Sequence, residues 1–315
     1  MPLPSVDRSP KLSLILSDAI SKLGAGGIPE ADAVVRLLAS HVFNLTTSQL
    51  GTAGEQNPPA GAIADFELGI GRLLKHEPVQ YVTGETVFMG FPLKVDRSVL
   101  IPRPETELLV ELVVEIYRAH PKDLTGRAIL TGIDIGTGSG NVPIAICKFL
   151  PECTMVALDV SPQALLVASQ NMELNGVTHR IAIDCRDILK SIPALPDRVD
   201  FIVSNPPYIS IEEYGQLAPN VRNYEPRVAL SDDGDGLTFY YRIAEIGTLL
   251  LKSNGALFFE VAFDQALRVS AILGGYGYQD IHISRDYSGI ERLISCRWRP
   301  RPPADQDFGS PEPSE

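Results

Sequence analysis

Short apolar runs alternate with longer amphipathic stretches over the second half of the chain. The apolar runs predict strands at 129–135, 154–158, 180–184, 199–204, 255–262, 279–284 and 291–297. The stretches with helical spacing predict helices at 142–150, 162–174, 238–251 and 264–273. This alternation predicts an α/β fold with a mostly parallel sheet covered by helices on both faces. The link between the last two strands is too short for a parallel crossover, so we expect an antiparallel last strand.

The chain before this sheet has a different pattern. Apolar residues at helical spacing, such as Leu12, Leu16 and Leu23, predict a small N-terminal helical domain. Glycines and alternating apolar positions over 84–100 predict a hairpin, and the Pro- and acid-rich end of the chain predicts disorder. The predicted division is a helical domain at 1–80, a hairpin linker at 81–100, the sheet domain at 101–298 and a disordered tail at 299–315.

A glycine cluster directly follows the first predicted strand of the sheet. It consists of Gly136, Gly138 and Gly140, with Thr137 and Ser139 between them. Strand, glycine turn and helix in succession let the backbone approach a nucleotide-like ligand closely. The G-x-G-x-G spacing differs from the G-x-G-x-x-G of a dinucleotide pyrophosphate site. Alone, the cluster is weak evidence, because many such clusters are only tight turns.

A carboxylate, Asp159, ends the second predicted strand. In this position it can accept hydrogen bonds from both ribose hydroxyls of an adenosine. It can also be the acid that begins the next helix, because Ser161 and Pro162 form a cap and a first-turn proline. The two roles are compatible, and the glycines together with this acid favour a nucleoside site.

The tetrapeptide Asn205-Pro206-Pro207-Tyr208 follows the strand predicted at 199–204. The prolines fix two φ angles, and a residue before proline favours an extended backbone, so the Asn205 carboxamide is held in one direction. This group can accept a hydrogen bond from an NH2 and donate through its own NH2. Alone, the motif favours an ordinary turn, and the glycine cluster upstream is what changes that interpretation. Because ligands bind beyond the carboxyl ends of such strands, we expect it to meet the glycines, Asp159 and Asp187 in one crevice.

The charge of the chain narrows the possible partners. In 315 residues there are 39 acidic and 27 basic side chains, a net charge of −12. An enzyme that holds a DNA duplex normally needs a basic surface, so this balance counts against one, although a local basic patch is compatible with it. The four cysteines have no C-x-x-C pairing and the five histidines no ligand spacing, so we expect reduced, buried thiols and no metal site.

Two further features of the sequence bear on its location. No apolar run approaches the roughly 20 residues that a membrane-spanning helix needs. Charged residues near the N-terminus, among them Asp7, Arg8 and Lys11, interrupt the apolar stretch that a signal peptide would require. We therefore expect a cytoplasmic protein.

These segments resemble the class I S-adenosylmethionine-dependent methyltransferases, which have the glycine motif, the acid after the second strand and an Asn-Pro-Pro-Tyr motif after the fourth. More narrowly, the chain resembles the PrmC/HemK family through ordered segments at 78–84, 88–91, 99–107, 205–209, 224–226, 233–237 and 286–292. The segment 101–107 matters most, because generic adenine methyltransferases are not expected to carry it ahead of the glycines. The resemblance implies a Rossmann-like methyltransferase sheet and methylation of the glutamine side-chain amide in the Gly-Gly-Gln loop of class I peptide chain release factors.

The resemblance also implies which residues bind the cofactor, S-adenosyl-L-methionine. Its methionine part would be surrounded by Gly136, Thr137, Gly138, Ser139 and Gly140. Asp159 would hold its ribose, and Asp187 and Ile188 would lie at its adenine. Family members often have an aromatic residue where Ile188 stands, so apolar contact would replace stacking. The N-terminal helical domain would contact the release factor.

The substrate side of the site is implied in the same way. Asn205 and the backbone carbonyl of Pro206 would accept hydrogen bonds from the glutamine NH2, with Asn205 also at the cofactor. Tyr208 would pack on the flat amide and take part in catalysis, and Pro207 would complete the substrate-binding motif. Arg103 would approach the mouth of the site from the linker, or instead form a surface ion pair with Glu105 or Glu107.

Two other functions would use the same residues. An N6-adenine methyltransferase acting on DNA or RNA would present Asn205-Pro206-Pro207-Tyr208 to an exocyclic NH2, and the acidic net charge counts against it. A noncatalytic binding module with the cofactor fold is disfavoured because the glycines, Asp159 and the Asn205 motif are all intact. We therefore expect a release factor as the protein substrate, with no stable nucleic-acid, membrane or metal partner.

Overall fold

The structure, a computed structural model, describes residues 10–118 and 130–300 of the chain. The tail predicted at 299–315 lies outside the described residues apart from its first two positions. The helices before the first strand are α1 Leu12–Ala25, α2 Ala31–Phe43, α3 Thr47–Thr52, α4 Ala60–Leu73 and α5 Val79–Thr83. Their apolar sides pack into one core that includes Leu23, Leu38 and Phe66, as the helical spacing predicts.

Seven strands form the main sheet: β3 Leu130–Ile135, β4 Cys153–Asp159, β5 Ile181–Cys185, β6 Val199–Ser204, β7 Leu251–Glu260, β8 Tyr278–Arg285 and β9 Glu291–Trp298. Their order is β5-β4-β3-β6-β7-β9-β8. Neighbouring strands are parallel from β5 to β7, while β9 runs antiparallel to both β7 and β8. The prediction of a Rossmann-like, mostly parallel sheet with an antiparallel last strand is confirmed.

Helices cover both faces of this sheet. They are α6 Pro104–Arg118, α7 Asn141–Phe149, α8 Pro162–Leu174, α9 Ile211–Tyr214, α10 Pro219–Arg222, α11 Arg227–Leu230, α12 Thr238–Leu250 and α13 Ala266–Tyr276. Successive residues of the central strands face opposite cores: Phe258 packs with α6 and α7, and Phe259 packs with α12 and α13. Both side chains are buried, which explains why the central strands are continuous apolar runs without alternation.

A hairpin joins the N-terminal helices to the sheet. Strands β1 Glu85–Phe88 and β2 Phe91–Lys94 pair antiparallel, with Met89 and Gly90 at positive φ in the turn. The buried side chain of Asn171 in α8 accepts a hydrogen bond from the Lys94 N–H and donates to the Lys94 carbonyl, at 2.7 and 2.9 Å. The same side chain donates to the carbonyl of Ser139, so it connects the hairpin to the glycine loop.

Polar contacts also hold the N-terminal helices beside the linker. The carboxylate of Glu77 is buried and pairs with Arg72 and Arg97, each at 2.8 Å. The hydrogen bond from Arg72, followed by that from Arg97, lowers the pKa of Glu77 to about 2. The Tyr224 hydroxyl donates to the carbonyl of Lys75, which ties the connection after β6 to this region.

The four cysteines differ from the expectation in one respect. Cys147, Cys153 and Cys296 are buried free thiols, but Cys185 is exposed. The expectation is wrong there because Cys185 ends β5, the strand at the edge of the sheet. None of the helices in the two described ranges is long and apolar enough to cross a membrane.

The contact between Gly132 and Phe201 leads to the first prediction. Gly132 of β3 lies opposite Phe201 of β6, and a Cβ at Gly132 would lie 2.2 Å from the Phe201 ring. Because Phe201 is completely buried, we expect Gly132→Ala to lower the free energy of unfolding by about 1–3 kcal/mol. Gly274→Ala, in an exposed position of α13 with open space around it, should leave stability unchanged or raised. Chemical denaturation of both variants tests this, and equal midpoints would contradict it.

Candidate active site

A cleft lies beyond the carboxyl ends of β3, β4, β5 and β6 and encloses about 210 Å³. Eight of the residues proposed for the site line it: Gly136, Gly138, Asp159, Asp187, Ile188, Asn205, Pro206 and Pro207. Residues after four different strands therefore meet in one place, as the parallel topology predicts. The remaining proposed residues, Thr137, Ser139, Gly140, Tyr208 and Arg103, do not line this cavity.

The glycine loop turns sharply as it leaves β3. Gly136 has a φ of +79° and its N–H donates to the carbonyl of Leu158 in β4 at 2.9 Å. Gly140 also has a φ of +79°, and a Cβ there would lie 3.2 Å from Ala168 of α8. Both positions need glycine, the first for the turn and the second for the turn and the close helix contact. The side chains of Thr137 and Ser139 are buried beneath the loop.

Asp159 connects the glycine loop to helix α8. One carboxylate oxygen accepts the Gly138 N–H at 2.9 Å, and the other accepts the Ser161 N–H at 2.9 Å. The Ser161 side chain in turn caps α8 by accepting from the Ala164 N–H. The aspartate therefore lies at the helix start and lines the cleft, which combines both arrangements considered from the sequence. Burial raises the pKa of Asp159, while these backbone hydrogen bonds lower it.

Apolar and charged side chains line the cleft after β5. Ile188 is buried after β5, and the carboxylate of Asp187 pairs with Lys190 at 2.8 Å, an interaction that lowers the pKa of Asp187. Phe239 of α12 also lines the cleft. The sequence reasoning did not select Phe239, because it lies in an amphipathic helix far along the chain from the motifs.

Asn205 is connected by hydrogen bonds to two buried residues, Thr106 and Glu260. Its Nδ2 donates to Thr106 Oγ1 at 3.1 Å, and Thr106 Oγ1 donates to Glu260 Oε2 at 2.7 Å. Thr106 lies in the first turn of α6, and Glu260 is the last residue of β7. With its NH2 engaged, Asn205 keeps its carbonyl oxygen as the acceptor available at the cleft. The prolines after it place Tyr208 on the other side of the motif, where its carbonyl accepts from Gln265 at 2.9 Å.

Three buried carboxyl groups near the site were missed by the sequence reasoning. They are Asp134, Glu225 and Glu260. Among the described groups, no hydrogen-bond partner is found for Asp134 Oδ2, and burial raises the pKa of Asp134 to about 7. Asp134 lies in β3, two residues before the glycine loop. The available signal was an acid inside an otherwise apolar strand, which is costly unless a partner or ligand compensates it.

Arg103 lies in the segment before α6, and its partner is distant in sequence. Its Nη2 donates to both carboxylate oxygens of Glu225, at 2.7 and 2.8 Å. The Glu225 side chain is 1% exposed, so its carboxylate is buried in this contact, and the alternative of a surface pair between Arg103 and Glu105 or Glu107 is wrong. A buried carboxylate attracts the nearest cation more strongly than an exposed one does, because water screens the latter. Glu107 instead accepts the N–H of Met89 at 2.6 Å.

Known protein families and individual proteins have sequences similar to this chain. The PrmC N-terminal domain matches residues 15–84, and the methyltransferase small domain matches residues 117–221. The release factor glutamine methyltransferase of Cereibacter sphaeroides is 35% identical over 90% of this chain and 96% of its own length. That of Chlorobaculum tepidum is 36% identical over 90% and 95%. The chain belongs to the release factor glutamine methyltransferase family.

One solved structure belongs to an enzyme with a similar name and has a lower sequence identity to this chain. The protein-(glutamine-N5) methyltransferase (release factor-specific) from Alicyclobacillus acidocaldarius is 26% identical, with a TM-score of 0.39 over 66% of this chain and 99% of that chain. Among the described residues of this family member, no group of three or more His, Cys, Asp or Glu side chains could hold a metal ion.

The buried pair of this glutamine methyltransferase gives a pH-dependent prediction. Arg103→Met would leave the Glu225 carboxylate buried without its cation, so we expect the free energy of unfolding to fall by about 3 kcal/mol at neutral pH. Burial already raises the pKa of Glu225, and loss of Arg103 removes the largest opposing influence. The folded variant would then bind a proton at Glu225 at higher pH than the unfolded chain does. Its deficit in stability should therefore shrink as the pH falls from about 8 to about 5.

Thermal and chemical unfolding across that pH range provide the measurement. The double variant Arg103→Met/Glu225→Gln is the matched control, because it has neither the cation nor the ionisable partner. The stability of this double variant should lack the pH dependence that Glu225 causes, so the difference between Arg103→Met and the double variant isolates that part. A deficit of Arg103→Met that stays constant with pH would contradict the role given to Glu225.

Proposed function

We propose that this chain transfers a methyl group from S-adenosyl-L-methionine to the side-chain nitrogen N5 of the glutamine in the Gly-Gly-Gln motif of class I peptide chain release factors. The observation that carries the proposal is that Asn205 and Pro206 line the same cleft as Gly136, Gly138 and Asp159. An amide-binding motif then lies beside a nucleoside-type site. The choice of a release factor as substrate rests on the names of these relatives, which are release factor glutamine methyltransferases.

The residues of the cleft fit the proposed cofactor. Each Asp159 oxygen accepts one backbone N–H and retains capacity to accept a ribose hydroxyl. One oxygen of the buried Asp134 carboxyl has no hydrogen-bond partner among the described groups, which supports a ligand with positive charge near the glycine loop, and this cofactor has an ammonium and a sulfonium group. Ile188 and Phe239 provide apolar contact for an adenine. When bound, the cofactor supplies an electrophilic methyl group.

The chemistry to be achieved is attack by a weak nucleophile. The lone pair of an amide nitrogen is delocalised into its carbonyl, so the nitrogen must be presented with its π-face toward the methyl group. The Asn205 carbonyl oxygen and the Pro206 carbonyl are two acceptors that hold the glutamine NH2 in that orientation. Orientation can supply about 7–11 kcal/mol of a barrier in favourable cases. A strong base is not needed first, because the alkylated nitrogen becomes acidic and loses its proton afterwards.

The other proposed residues support this arrangement from outside the cavity. Tyr208 packs on the flat glutamine amide and excludes water. Arg103 stays engaged with Glu225 and keeps the segment before α6 at the mouth of the site. The N-terminal helices contact the release factor, in keeping with the match of residues 15–84 to the PrmC N-terminal domain.

Methylation of adenine N6 in DNA or RNA is the alternative that the site chemistry allows. The exocyclic NH2 of adenine would donate to the same two acceptors, the carbonyl oxygens of Asn205 and Pro206. The net charge of −12 disfavours a nucleic-acid substrate, because binding to the phosphate backbone depends on basic side chains. The sequence relatives described above also have names that specify release factor glutamine.

Substitution of Asn205 tests the role of the carboxamide. We expect Asn205→Ala to lower kcat by about 100-fold or more and to weaken cofactor binding far less, since the main loss is the orientation of the substrate amide. Asn223→Ala is the control, because Asn223 is an exposed asparagine at the end of α10 in the connection that follows. Cofactor titration and single-turnover rates give the two values. Equal losses in binding and rate would contradict this role.

The substrate is tested by offering three acceptors side by side. The wild-type protein and labelled cofactor are incubated with a class I release factor, with duplex DNA and with RNA. Mass spectrometry of the release factor should show one added methyl on the Gly-Gly-Gln peptide, and a release factor with alanine in place of that glutamine should gain none. Label in nucleic acid without label in the release factor would overturn the proposed function.

A further inference from the structure

Three residues form one hydrogen-bonded chain behind the cleft. Asn205 follows β6, Thr106 begins α6 and Glu260 ends β7. The contacts join residues 99 and 154 positions apart, at 3.1 Å for Asn205–Thr106 and 2.7 Å for Thr106–Glu260. Thr106 and Glu260 are each 2% exposed, so water does not compete for these contacts.

The hydrogen bonds in this series have a fixed donor-to-acceptor direction, which follows from the chemistry of the three side chains. An ionised carboxylate can only accept hydrogen bonds, so the single hydroxyl hydrogen of Thr106 is given to Glu260. Toward Asn205, Thr106 can then only accept. Asn205 must therefore present its NH2 to Thr106, because the reverse orientation would bring two oxygens together. The carbonyl oxygen of Asn205 is left as the acceptor on the side of the cleft.

We propose that Thr106 and Glu260 are positioning residues that fix which end of the Asn205 carboxamide faces the substrate amide. The inference rests on the function proposed above for Asn205. It explains why a threonine and a glutamate are buried at this point. An asparagine side chain without such a partner can rotate by 180° at little cost and would present its NH2 to the substrate NH2, which cannot accept from it.

The ionisation of Glu260 adds a pH dependence to this arrangement. Burial, the largest cause, raises the pKa of Glu260 to about 7, and the hydrogen bond from Thr106 opposes it. The titratable and charged groups that face Glu260 come from several elements. They are Arg103 before α6, Glu105 within α6, Arg292 of β9, Tyr208 after β6 and Tyr240 of α12. A protonated Glu260 can donate a hydrogen bond to Thr106. The Thr106 hydroxyl is then no longer required to donate to Glu260, and the orientation of Asn205 is no longer fixed. The methyl-transfer rate should therefore rise as the pH rises through this pKa.

Replacement of Thr106 separates orientation from packing. Thr106→Val has nearly the same shape without the hydroxyl, and we expect kcat to fall by about 100-fold with the cofactor Kd changed by no more than about twofold. Thr106→Ser retains the hydroxyl and should recover most of the rate. Single-turnover methylation of a release factor and cofactor titration give these values. A Thr106→Val variant with the wild-type rate, or a Thr106→Ser variant as slow as Thr106→Val, would overturn the inference.

Replacement of Glu260 provides a readout that a purely structural role would not change. Measured at saturating cofactor, the single-turnover rate of the wild-type protein should have an acid limb near pH 7, and Glu260→Gln should remove the part of that limb that Glu260 causes and leave a lower rate. This measurement remains informative even if Thr106→Val folds poorly. An acid limb that is missing from the wild type, or unchanged in Glu260→Gln, would contradict the inference.

The two proposals fail in different ways. If the wild-type protein does not methylate the release factor at any pH, the proposed function fails. If the wild-type protein is active but Thr106→Val and Glu260→Gln retain its rate and pH profile, only the positioning of Asn205 is refuted.

Discussion

Hydrogen bonding of β3 on both of its edges is the constraint on which the rest of the structure depends. Ile135 lies opposite Leu158 of β4 on one side and opposite Ser204 of β6 on the other. The residues that follow these three positions are Gly136, Asp159 and Asn205. Because their strands are parallel and in this register, all three leave the sheet at the same edge and level. A shift of one residue in the pairing register would turn the side chains of a strand to the opposite face of the sheet. It would also separate Asn205 from Gly136 and Asp159.

Features with local signals could be predicted from the sequence. The strands, the glycine loop and Asp159 were found because apolar runs, glycine spacing and a strand-end acid are visible within a few residues. Helix α6 was not predicted, although Pro104 at its start is a favourable first residue. Thr106 and Glu260 were missed because their importance comes from contacts between distant parts of the chain. A lone acid at the end of an apolar strand was the only available sign.

The pairing of Arg103 also depends on a contact between distant parts of the chain and could not be predicted from the local sequence. Sequence proximity suggested Glu105 or Glu107, whereas the structure brings Arg103 to Glu225, 122 positions away. Burial decides the outcome, because an unpaired carboxylate costs far more in the interior than at the surface. Such a choice depends on which residues the fold buries, and no local pattern in the sequence specifies that. The exposed thiol of Cys185 is a smaller example, since its exposure follows from the edge position of β5.

The chain of contacts from Asn205 to Glu260 has a consequence for how the site comes into existence during synthesis. The glycine loop and Asp159 are encoded early, with β3 and β4, and the Asn205 motif follows with β6. Glu260 is the last residue of β7, so it becomes available only after the helix α12 has been made. Contacts that span so much of the chain form late in folding, because loop closure must come first. A partly synthesised or misfolded molecule would thus retain the glycine loop and yet lack an oriented Asn205. Only a completely folded molecule would then be able to transfer the methyl group.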